Sequence, residues 1–134
     1  MFTKQFVERM KVKPTASELE ILQILWKKGE CTVRDVNEEL IRDRETEVGY
    51  TTTLKLMQIM HEKGLVERDT SSRTHKYKHL ISKEHTSQGI LQALIDTVFN
   101  GSASQLVMQA LSNKSSSKEE IKKIKEYLDQ LEKK

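Results

Sequence analysis

Four histidines, His61, His75, His79 and His85, and one cysteine, Cys31, are the first places to look for metal chemistry. A structural zinc site needs a closed set of four such ligands, usually in pairs two to five residues apart. Here the histidine spacings are irregular and neither a second cysteine nor a paired carboxylate joins them. They are expected on the surface or facing a polyanion, and no metal and no cofactor is expected. The acid pairs Glu38/Glu39 and Glu119/Glu120 lie on charged helical stretches, where solvation is the ordinary role. No Gly-rich phosphate loop, nucleophile elbow or Ser/His/Asp grouping appears, so no enzyme is expected. What remains is a cluster of donors: between residues 51 and 80 stand Lys55, Lys63, Arg68, Arg73, Lys76 and Lys78 against Glu62, Glu67 and Asp69.

That cluster begins with "YTTTLKLMQIMHEKGLVER". At 100° per residue, Leu54, Leu56, Met57 and Met60 fall on one side of a helix, and Thr51, Thr52, Lys55, Gln58 and Glu62 on the other, with Thr53 nearer the apolar side. Ile59 borders the polar face and is expected to pack. Threonines are mediocre helix formers, but at a helix start their hydroxyls and the free backbone amides suit a phosphate oxygen. Thr51 is expected to open and cap this helix. Gln58 has the donor and acceptor pair that matches adenine, and threonine methyls match thymine. Tyr50 can donate to a phosphate. Tyr50, Thr51, Thr52, Thr53, Lys55 and Gln58, with Arg73 and Lys76 downstream, form the expected DNA-binding set.

The elements that must position this helix are legible around it. "TASELEILQILWKKG" starts with Thr15 and Glu18 spaced as a capping box, repeats Leu19, Leu22, Leu25 and Trp26 at helical steps, and stops at Gly29. "ECTVRDVNEELIRD" repeats the pattern with Thr32 as cap. Behind Gly64 the period changes: "LVERD" and "HKYKHLI", separated by "TSSRT", read as a β-hairpin with Arg73 at its tip. Three helices and a hairpin make a winged helix-turn-helix, whose third helix enters a major groove.

From Ser82 onward only helix is expected. Ile90, Leu91, Leu94, Ile95 and Val98 form one stripe, and Asn100-Gly101 ends it. Leu106, Val107 and Leu111 follow on a short helix, and "KSSS" is a linker. Ser117 then caps a last helix with Ile121, Ile124, Leu128 and Leu131 at three- and four-residue steps. So little chain buries little by itself, so these residues are expected to pair two copies of the protein. The expected fold is mainly α with a small β-hairpin, divided into a winged-helix DNA-binding domain, residues 1–81, and a helical dimerisation domain, residues 82–134.

With 134 residues, a net charge of +3 and 32% charged residues, the chain has room for one compact unit plus an appendage. No apolar run has the length of a membrane span, and "MFTKQFVERMKVKP" lacks the pattern of a signal peptide. A cytoplasmic protein without direct membrane insertion is expected.

"PTASELEILQILWKKG", "YTTTLKLMQIMHEKGLVERD" and "RTHKY" together resemble the penicillinase and methicillin-resistance repressor family (BlaI/MecI type, related to the CopY copper repressors), over roughly residues 10 to 112. The resemblance implies a homodimeric winged-helix repressor on a double-stranded, two-fold symmetric operator. It also implies a membrane sensor-protease pathway that detects β-lactam and triggers proteolysis in the dimerisation helices. At the matching place "GSASQLVMQALS" carries Gln109-Ala110 where family members often show Asn-Phe. Many members carry arginine at the position of Ile59 and threonine at that of Lys55, which implies a different operator sequence. Copper sensing in the CopY type uses paired C-terminal cysteines, which are absent. The alternative from another class is a winged-helix module that binds a protein partner without reading DNA.

Overall fold

The computed structural model describes residues 14–112 and 116–133. Expectations for the N-terminal stretch through Lys13 and for the start of the "KSSS" linker fall outside these residues.

Helix α1, Ala16–Lys28, begins with the capping box that its sequence announces. The Glu18 amide donates to Thr15 Oγ1 at 3.2 Å and the Thr15 amide donates to Glu18 Oε1 at 2.8 Å, so two amides with no helical acceptor are satisfied. It ends where Gly29 takes φ 85° and its N–H returns to the Leu25 carbonyl, a conformation that costs a side-chain-bearing residue more than glycine. A two-residue strand β1, Cys31–Thr32, leads into α2, Val33–Arg44, where Thr32 and Asp35 repeat the capping box. Helix α3 is Tyr50–Glu62, followed by strands β2, Val66–Asp69, and β3, Lys76–His79.

The strands form an antiparallel sheet in the order β1-β3-β2. β2 and β3 are the expected hairpin, in register Val66 with His79 and Arg68 with Tyr77. β1 is a third strand, pairing Cys31 with Tyr77 and Thr32 with Lys76. The residue that caps α2 therefore also holds the sheet. Three helices and this sheet are a winged helix-turn-helix.

One core joins them. Ile21, Leu22 and Leu25 of α1, Val36 and Leu40 of α2, Met57 and Met60 of α3, and Leu65, Val66 and Tyr77 of the hairpin are all buried. Burying aliphatic side chains of this size stabilises by roughly 1.5–3 kcal/mol each. Cys31 sits in the same cluster as a free thiol, and burial, reinforced by Asp35, pushes its pKa up. It behaves as a small apolar residue.

Two polar contacts are set into this apolar core. Asn37 Nδ2 on α2 donates to the Val48 carbonyl and to Thr53 Oγ1, both at 2.9 Å. Glu18, 1% exposed, receives Lys63 Nζ on both carboxylate oxygens at 2.9 Å. Burial pushes the Glu18 pKa up, but the Thr15 amide and the Lys63 ammonium together outweigh it and hold the carboxyl below its ordinary value.

Compact units divide the chain after Ile90, inside helix α4, Lys83–Val98. Trp26 Nε1 donates to the Ile81 carbonyl at 3.0 Å and fastens the chain just ahead of α4 within the first unit. In the second unit α4 ends where Asn100 and Gly101 take φ 51° and 83°, with the Gly101 N–H on the Ile95 carbonyl. α5, Ala103–Ser112, follows, and then α6, Lys118–Glu132, capped by Ser117 as expected. Among the described residues no helix is long and apolar enough to cross a membrane.

Replacing Asn37 by alanine leaves the Val48 carbonyl and the Thr53 hydroxyl without this buried donor, and is expected to cost about 1–3 kcal/mol in a denaturant melt; a loss within error would show that the bond carries no weight. Glu18→Gln removes the charge that Lys63 meets, at an expected cost of about 1.5–3 kcal/mol at neutral pH. Because the folded carboxyl is held low, its stabilisation is present above pH 4.5 and is lost as pH falls through the lowered value. The gap between the two proteins should therefore narrow on acidification, which melts at a series of pH values will read.

Candidate nucleic-acid interface

The polar side of α3 is its solvent side. Thr51, Thr52, Lys55 and Gln58 are exposed, and Tyr50 is 51% exposed. The opposite side carries Met57 and Met60, fully buried, with Leu54 and Leu56 half-buried against the core. Ile59 is half-buried.

Two expectations about the threonines need correction. The helix starts one residue earlier than expected, at Tyr50, with Gly49 as N-cap and no side-chain cap. Thr51 therefore follows the cap rather than forming it, and the amides of the first turn, which have no helical acceptor, are not taken up by a capping side chain. Thr53 leaves the DNA-facing set: it is 0% exposed, its hydroxyl accepts from Asn37 and lies 3.4 Å from the Gly49 carbonyl. A side chain so enclosed cannot touch a duplex; its bond to Asn37 positions the helix instead. Asn37 is the residue missed, although a lone amide between Val33, Val36 and Leu40 on an apolar face is a readable sign that a buried partner is waiting.

The hairpin places Arg73 in the exposed tip between β2 and β3. The tip is shaped by its own polar groups: the Ser71 amide donates to Asp69 Oδ1 at 2.9 Å and the Ser72 hydroxyl to the Thr74 carbonyl at 2.8 Å. The Ser71 hydrogen bonds hold the Asp69 carboxyl below its usual range. Lys76 is exposed at the start of β3, opposite Asp69 across the hairpin and opposite Thr32 on the other side. So α3 gathers Tyr50, Thr51, Thr52, Lys55 and Gln58, and the hairpin adds Arg73 and Lys76.

Two of the histidines lie against nearby carbonyls. His61 Nδ1 lies 3.4 Å from the Val66 carbonyl and His79 Nδ1 3.0 Å from the Ile81 carbonyl. Among the described residues no group of three or more His, Cys, Asp or Glu side chains could hold a metal ion.

In the second unit the expected dimerisation residues are mostly open. Leu91, Leu94, Val98, Val107, Ile121, Leu128 and Leu131 are exposed there, Leu106, Leu111 and Ile124 half-buried, and Ile95 is 9% exposed; Ile90, the last residue of the first unit, is exposed as well.

The family model of the penicillinase repressor matches residues 14–130. The methicillin resistance regulatory protein MecI of Mammaliicoccus sciuri is 21% identical over 115 residues, 86% of this chain and 92% of that protein. The penicillinase repressor of Staphylococcus aureus is 20% identical over 123 residues, 92% of this chain and 96% of its own length. The solved hsRosR-SG complex shares the fold, with a TM-score of 0.51 and 16% identity over 87% of this chain and 89% of that one. The family match runs from the capping box at Thr15 into α6 and takes in both units. The chain thus belongs to the penicillinase repressor family, whose members are DNA-binding transcriptional repressors and not enzymes.

Proposed function

We propose that this repressor acts as a homodimer in the cytoplasm, each protomer reading one half of a two-fold symmetric operator with α3 and the hairpin. One observation carries the reading: α3 shows Thr51, Thr52, Lys55 and Gln58 to solvent while its other side is sealed in the core. The first-turn amides and the Thr51 and Thr52 hydroxyls receive phosphate oxygens at the positive end of the helix dipole. Lys55 adds a point charge, Gln58 reads a base edge, and Arg73 at the exposed tip meets the backbone or the minor groove.

Pairing falls to the second unit. Leu91, Leu94, Val98, Val107, Leu128 and Leu131 are too many large apolar side chains to leave in water on a chain of this size. A second copy covers them with the same surface, as two-fold symmetry requires. Release by regulated proteolysis, driven by a membrane sensor pathway, is the control that fits this arrangement. Gln109 and Ala110 lie exposed on α5, and a cut there would divide the unit that pairs the protomers.

Lys55→Ala and Arg73→Ala should each weaken binding to any duplex and lower the slope of log affinity against log salt by about 1. Gln58→Ala should cost about 1–3 kcal/mol, and only on operators with the base it reads. Anisotropy titrations across salt concentrations check all three, and unchanged affinity in every variant would remove this face from the function. Leu94→Glu combined with Leu128→Glu should sediment as a monomer and lose the symmetric footprint on the upstream region. A double variant that stays dimeric would show that pairing lies elsewhere.

A further inference from the structure

Among the described residues, one buried side-chain polar atom has no hydrogen-bond partner: Nε of Arg68. Its place follows from the strand pattern. Along β2, Val66 is buried, Glu67 exposed, Arg68 half-buried and Asp69 exposed, so Val66 and Arg68 share the face turned toward the helices. Arg68 stands opposite Tyr77, which is 2% exposed, and β2 packs against α3.

The neighbouring acids are engaged on other partners. Glu67 faces Lys78 across the hairpin, 3.5 Å from its ammonium, and Asp69 receives the Ser71 amide. No carboxylate among the described residues forms an ion pair with Arg68. A guanidinium is always charged, carries five N–H donors and has no neutral form to fall back on. Drawing one partly out of water without an acceptor destabilises the free protein. If packing were the only task, a methionine would fill the same space without that cost.

We propose that Arg68 is a phosphate anchor for DNA, set on the first strand of the hairpin in the second residue pair from the tip that carries Arg73. Its stem lies on the inner face of β2 and its Nε is closed off, so the Nη groups meet the backbone oxygen. The phosphate supplies the countercharge that the protein withholds. This inference rests on the reading of α3 and the hairpin as the DNA surface, and adds to it a half-buried residue of the same basic cluster. A phosphate contact carries no sequence information, so Arg68 strengthens binding to operator and random DNA alike.

The test compares Arg68→Met and Arg68→Lys with the unaltered full-length protein, using a fluorescein-labelled duplex of random sequence and, separately, thermal melts. Arg68→Met should lower the salt slope by about 1 while melting at or above the temperature of the unaltered protein. Arg68→Lys, which restores a charge, should restore the slope. An Arg68→Met protein with an unchanged slope would overturn the proposal. So would a methionine variant that melts lower and a lysine variant that fails to restore binding, since both together make Arg68 a packing group. If the unaltered protein itself bound the duplex with no dependence on salt, the DNA-facing reading would fall, and this inference with it.

Discussion

A single carboxamide at the junction of α2 and α3 sets the geometry on which the proposed binding surface depends. Asn37 is 8% exposed, and a buried amide that lost its acceptors would cost more than its bonds are worth in water. Both of its side-chain donations go to the segment that starts α3, one to the Val48 carbonyl and one to the Thr53 hydroxyl. With Thr53 turned inward to meet it, the helical period leaves no freedom for the rest. At about 100° per residue, Thr51, Lys55 and Gln58 fall roughly 140–160° from Thr53 on the outside, and Thr52, about 100° away, at its exposed edge. The choice of which α3 residues face solvent is thus made one helix away.

The other end of α3 is fixed by a different chemistry. Lys63 reaches back to Glu18, which already caps α1, so one carboxylate starts the first helix and moors the end of the third. Met57 and Met60 supply the apolar body between these two polar clasps. Methionine adapts to irregular gaps and specifies orientation poorly by itself, which gives the flanking hydrogen bonds their importance. The phosphate contacts proposed for α3, made through short hydroxyls and backbone amides, have little reach and tolerate little displacement, so a helix held at both ends suits them.

Local signals in the sequence account for much of this architecture. Thr15 with Glu18 and Thr32 with Asp35 are capping pairs that act within one turn, so the sequence alone places the starts of α1 and α2. The change from helical steps to alternation after Gly64 reveals the hairpin for the same reason. β1 is different: Cys31 and Thr32 are too short to show any period, and their strand exists because Tyr77 and Lys76, distant in sequence, lie beside them. The start of α3 is shifted because threonine propensity for caps yielded to Gly49. Thr53 has the residue type of a DNA surface although the helical period already sets it nearer the apolar side, and only tertiary packing shows that Arg68 is half enclosed.

Chemical-shift mapping of the isotope-labelled full-length protein with added duplex DNA tests the orientation of α3 most directly. A helix held by Asn37 and Glu18 predicts that the largest changes fall on the amides of Thr51, Thr52, Lys55 and Gln58 and on Arg73, and that in an Asn37→Ala variant the α3 changes shrink or spread. Changes confined to α2 or to the second unit, with α3 unmoved, would contradict it.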